Sequence, residues 1–158
     1  MRELRDQLQR AGLADVRTYL QSGNVVLSSD APPAQVAREC EQLITKHFGL
    51  EIEVVVRTRD ELAKVVERNP LGDVAVNPKR YQVTFLAAEL APDSLRKVHA
   101  AAVAPEKVVV AGREIYAWHP DGIARSRLWA LLAGRSLGVT ATARNWTTVT
   151  KLLALADD

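Results

Sequence analysis

Along the chain, apolar positions switch repeatedly between a helical period and the alternation of strands, and the switches mark out the elements. Met1, Leu4 and Leu8 share one helical face through residue 11, and Gly12 offers a natural stop. Residues 16–29, VRTYLQSGNVVLSS, change to strand types on either side of Ser22-Gly23-Asn24, where Gly and Asn supply the positive φ of a tight hairpin. Pro32-Pro33 then opens a helix in which Val36, Cys40, Leu43 and Ile44 recur at three- and four-residue spacing until Gly49. The segment 51–57, EIEVVVR, reads as a short strand. Thr58 and Glu61 form a T-x-x-E capping box for a helix reaching Arg68, which Asn69-Pro70 ends.

The second half repeats this order. Tyr81 to Ala87 is β-branched and apolar enough for an internal strand, and a helix from Pro92 to Val103 follows. EKVVVA and REIYAWH flank Gly112 as a hairpin, and His119-Pro120-Asp121-Gly122 makes a turn. A helix is predicted over 125–137, a short strand over 139–143, and a last helix from Asn145 or Thr147. The fold class is therefore α+β, with two tandem ferredoxin-like subdomains of the split β-α-β type, at 1–78 and 79–158. Only the second has a strand ahead of its first helix. That strand lies inside such a sheet, so its absence leaves two neighbours without ladder partners. We expect either an extra strand before Met1 or one borrowed by edge pairing, with self-association through the incomplete first sheet.

Composition narrows the classes. The 158 residues are 47% hydrophobic and 25% charged, globular values, and the formal charge is only +2. A single cysteine, Cys40, excludes a disulfide framework within the chain, and its place on the apolar face of its helix argues for a buried structural thiol. His47, His99 and His119 sit in separate elements without metal-ligand spacing, so no metal and no cofactor are expected. The charged start and the lack of any run near the ~20 apolar residues of a membrane span point to a cytoplasmic protein without a membrane partner.

Charge is unevenly placed. Residues 122–151 hold five cations, Arg125, Arg127, Arg135, Arg144 and Lys151, and no acid, while the other 128 residues carry 16 Lys or Arg against all 19 acids. Helix starts bearing cations and small polar residues suit an anion. The candidate ligand-binding set is Gln21, Ser22 and Asn24 from the first half, with Arg125, Ser126, Arg127, Arg144, Asn145, Trp146 and Lys151 from the second. The bland alternative is a solvated basic face. No serine lies in a nucleophile elbow, and neither Gly-rich phosphate motif occurs, so no catalytic residue is assigned.

Three stretches carry a family resemblance: RTYLQSGNVVLSS at 17–29, HPDGIARSRL at 119–128 and TARNWTTVTKL at 142–152. They resemble the bacterial family called domain of unknown function 1697. The resemblance implies a tandem pair of ferredoxin-like α/β subdomains and no established reaction, substrate or cofactor. Members of that family usually open with a strand and a glycine-rich loop, which this sequence lacks. The leading functional expectation is a module that binds an anionic, phosphate-bearing small molecule or nucleic acid at the cleft between subdomains. The alternatives are an enzyme acting on a phosphorylated small molecule and an interaction protein completed by a partner strand.

Overall fold

The computed structural model describes residues 2–19 and 23–157, which form six helices and six strands. They fall into two compact units, Met1–Glu61 with Lys151–Asp158, and Leu62–Thr150, called units 1 and 2. The 78/79 division read from the sequence falls within unit 2.

Unit 1 begins with α1 (Arg2–Arg10), β1 (Ala14–Tyr19), β2 (Asn24–Ser28) and α2 (Pro33–Phe48). β1 and β2 pair antiparallel, and Leu8, Val16, Val36 and Cys40 form the core beneath them. Burial, then the neighbouring Glu39 and Glu41 carboxylates, push the Cys40 thiol above its ordinary pKa, as a structural cysteine requires. The capping box forms as the pattern predicts: Glu61 accepts from Thr58 N at 2.8 Å and Thr58 Oγ1 accepts from Glu61 N at 3.1 Å, opening α3 (Arg59–Arg68).

The strand predicted over 51–57 does not form. A strand exists only with a ladder partner, and among the described residues the sheet of unit 1 consists of β1 and β2. Val54 N–H turns to the Glu41 carboxylate at 3.1 Å, and Val54 and Val56 pack on the core without a ladder. Leu50 and Ile52 stay about half exposed.

Unit 2 contains β3 (Tyr81–Leu86), α4 (Pro92–Ala101), β4 (Lys107–Ala111), β5 (Glu114–Trp118), α5 (Arg127–Ala133), β6 (Ala141–Asn145) and the start of α6 (Trp146–Ala156). Its sheet has the order β4-β5-β3-β6 with every neighbour antiparallel. Each helical crossover, β3-α4-β4 and β5-α5-β6, thus joins two parallel strands separated by one inserted strand. β3 lies inside, and all six of its residues are buried.

Directly paired residues share a face. Gln82, Thr84 and Leu86 with Ile115 and Ala117 face α4 and α5, where Leu86, Val98, Ile115, Leu128 and Leu132 make the core. Tyr81, Val83, Tyr116 and Trp118 take the opposite face. There Tyr116 Oη donates to Val65 O at 2.8 Å and Tyr81 Oη accepts from Leu71 N at 3.4 Å. Burial pushes both phenols up to about 12.

Two predicted bounds shift. The helix expected over 125–137 is only Arg127–Ala133, because Ser126 caps it and the backbone turns extended at Gly134. The strand expected over 139–143 is Ala141–Asn145, so Arg144 and Asn145 belong to a ladder against β3.

Candidate functional site

One end of the unit 2 sheet gathers the chemistry. Lys107 opens β4 opposite Trp118, Trp118 closes β5 opposite Tyr81, and Asn145 closes β6 opposite Gln82. The loops 69–80, 102–106 and 119–126 therefore meet beside the starts of α5 and α6. Backbone bonds join them: His119 N donates to Arg80 O at 3.0 Å and Trp146 N to Pro78 O at 3.1 Å. The Arg80 guanidinium also donates to Pro120 O. The 119–122 turn closes with Gly122 N on His119 O at 2.9 Å, and its φ of +84° is one that only glycine adopts without strain.

A three-residue network sits inside this end. Ser126 Oγ donates to Glu106 Oε2 at 2.6 Å, and His119 Nδ1 reaches the same oxygen at 2.6 Å. Ser126 Oγ also accepts from Trp129 N at 3.0 Å, which makes it the N-cap of α5. His119 is wholly buried, edge-on to Trp129 with ring centroids 6.1 Å apart, and its Nε2 has no hydrogen-bond partner among the described residues. In a hydrolytic triad the hydroxyl donates to the imidazole and the carboxylate holds the far nitrogen. Here both donors converge on one carboxylate oxygen and Ser126 Oγ lies 3.4 Å from His119 Nδ1, an arrangement that differs from that triad and fastens two loops and a helix start.

The expected site residues fall on both units. Gln21 and Ser22 lie outside the described residues. Asn24, 5% exposed, spends its side chain on the hairpin, donating Nδ2 to Tyr19 O at 3.0 Å. Lys151 is exposed and belongs to unit 1. Arg125 and Arg127 are exposed on either side of the Ser126 cap, so the structure brings these three together.

Arg144 pairs with Val83 and therefore projects from the sheet face opposite α5. It donates to Thr142 Oγ1 at 2.9 Å and Ala143 O at 2.8 Å, and burial pulls its pKa below the ordinary value. Asn145 Oδ1 accepts from Thr148 N at 2.9 Å and caps α6. Trp146 stacks on Tyr81 at 4.8 Å and 24°, a packing role.

Three exposed cations that sequence reasoning did not select, Lys79, Arg80 and Lys107, join Arg125 and Arg127 at this end. Asp73 and Asp121 are exposed on the same loops, while Glu106 is 14% exposed and engaged by its two donors. Unit 2 as a whole holds twelve Lys or Arg against seven Asp or Glu, a formal +5, and unit 1 nine against twelve, a formal −3. Among the described residues no three His, Cys, Asp or Glu side chains are grouped to hold a metal ion. A groove of about 600 Å³ in unit 1, lined by Gln7, Arg10, Glu39, Gln42, Lys46 and His47, mixes both signs of charge and holds none of the expected residues.

The fold is shared with the conserved bacterial protein SP0830 from Streptococcus pneumoniae, whose solved structure gives a TM-score of 0.80 at 20% identity, covering 99% of this chain and 88% of that one. A search of curated proteins finds no match. No helix among the described residues is long and apolar enough to cross a membrane. A family model described as protein of unknown function (DUF1697) matches residues 1–116, well over half the sequence, and the chain belongs to that family.

Proposed function

We propose that unit 2 is an anion-binding module whose ligand carries phosphate groups, held at the loop end of its four-stranded sheet. The observation that carries the reading is the collection of five exposed cations, Lys79, Arg80, Lys107, Arg125 and Arg127, against two exposed acids on the same loops, Asp73 and Asp121. Such a surface raises the local concentration of anions and contacts phosphate oxygens directly. The strand order and its crossovers match a ferredoxin-like unit, and unit 1 reads as the same plan without its first strand.

The Arg125→Glu/Arg127→Glu double variant is expected to leave heparin at clearly lower salt than the parent chain. On duplex DNA its log affinity against log salt should be less steep by about 1.8, two phosphate contacts at 0.9 each. Elution and slope equal to the parent overturn the reading.

A second reading, a chain completed by a second copy of itself, is favoured by a different observation. Among the described residues the sheet of unit 1 holds just β1 and β2, a small sheet for a ferredoxin-like plan, and Val54 and Val56 pack on its core without joining it. Light scattering on a size-exclusion column should then give a dimer mass, and a monomer across the loading range removes this reading.

A further inference from the structure

The loops that present the cations also carry every large apolar side chain exposed in the described part of unit 2. Val76 is 82% exposed, Val103 60% and Ile123 38%, one on each of the three loops. Isolated exposed aliphatics are ordinary on a protein surface. Here, however, the three loops are joined to one another through Glu106 with Ser126 and His119, and through Arg80 with Pro120. The side chains therefore share one end of the sheet with Lys79, Arg80, Lys107, Arg125 and Arg127.

We propose that this end of unit 2 docks on the surface of an anionic lipid bilayer. Val76, Val103 and Ile123 enter the headgroup boundary while the cations meet lipid phosphates. The proposal rests on the anion-binding reading and names its partner. The charge complementarity is direct: on these loops and helix starts five exposed cations stand against the exposed Asp73 and Asp121 and the largely covered Glu106, and each Lys or Arg near an anionic leaflet strengthens binding roughly fivefold. Aliphatic loop tips gain by leaving water for the interface, a gain that a soluble polyanion does not offer.

The aromatic inventory separates lipid from single-stranded nucleic acid. Single-stranded nucleic acid is held largely by bases stacked on exposed aromatic rings. In unit 2 the rings of Tyr81, Phe85, Tyr116 and Trp118 are buried, Trp146 is stacked on Tyr81, and Trp129 is partly buried against His119. None is exposed. A surface with aliphatic tips and cations but no open ring fits a bilayer better. The described helices offer no span, so the contact lies on the membrane plane.

Cosedimentation of the full chain with vesicles tests this, using phosphatidylcholine alone and phosphatidylcholine mixed with phosphatidylglycerol, at low salt. The chain should sediment with the mixed vesicles and not with the neutral ones. Val76→Asp/Ile123→Asp, at two exposed positions, should weaken that binding by about tenfold or more, since each change removes an apolar contact and adds repulsion. Val103→Asp provides an independent variant should the double variant unfold by circular dichroism. Heparin retention is measured on the same samples. Retention on heparin without vesicle binding overturns the bilayer proposal and leaves the anion reading standing, whereas loss of both overturns both. Undiminished vesicle binding by a folded Asp variant also overturns the proposal. So does a single-stranded oligonucleotide bound more tightly than the mixed vesicles.

Discussion

Leu128→Ala should cost unit 2 about 3 to 4 kcal/mol, the largest single loss expected from this structure. Leu128 is fully buried at the start of α5 and packs into the cluster of Leu86, Val98, Ile115, Ala117, Leu132 and Leu137. Truncation there removes apolar burial and leaves a cavity that the sheet behind it cannot collapse to fill. For a unit of this length the melting temperature should fall by roughly 12 to 30 °C. Urea or thermal unfolding followed by circular dichroism checks it. A loss under about 1 kcal/mol would mean that α5 does not lie on the sheet as described.

Glu106→Ala should cost nearly as much, about 2 to 4 kcal/mol, for a different reason. Both donors on Glu106 Oε2 lose their acceptor at once, and His119, fully buried with Nε2 unpartnered among the described residues, keeps only the 3.4 Å contact of its Nδ1 with Ser126 Oγ. Glu106→Gln separates this from lost charge. Because the hydroxyl and the imidazole meet a single oxygen, an amide oxygen at that place can accept from both. The Gln variant should therefore recover most of the stability, falling short by about 1 kcal/mol, the difference between a charged and a neutral acceptor. Equal losses in the two variants, read by urea unfolding, would count against the network as drawn.

Much of this architecture was legible from pattern alone, because it depends on short-range chemistry. Thr58 with Glu61, the glycine turns, and the apolar, β-branched run from Tyr81 each announce an element within a few residues. What pattern cannot report is who pairs with whom. The run EIEVVVR has every local property of a strand and forms none, since its ladder partner is a matter of tertiary structure. Serine before Arg127 was a readable cap, yet the longer apolar run drew the predicted helix past it in both directions.

The site divides the same way. The acid-free stretch was visible as composition, and Arg125 and Arg127 do stand together. Arg144 was placed at a helix start, and only the ladder with β3 reveals that it is a strand residue turned to the other face. Glu106, His119 and Ser126 meet across separations of 13 and 20 residues, with no spacing rule to connect them. Lys79, Arg80 and Lys107 look like scattered surface charge until the strand ends that carry them are set side by side.

The wholly buried β3 also dictates an order of events during synthesis. Both strands that cover it, β5 and β6, are made after it. Translation at roughly 5 to 20 residues per second leaves this uncharged YQVTFL segment waiting for seconds outside the ribosome. Until Asn145 has cleared the exit tunnel it is a ready client for a chaperone that holds nascent apolar chains.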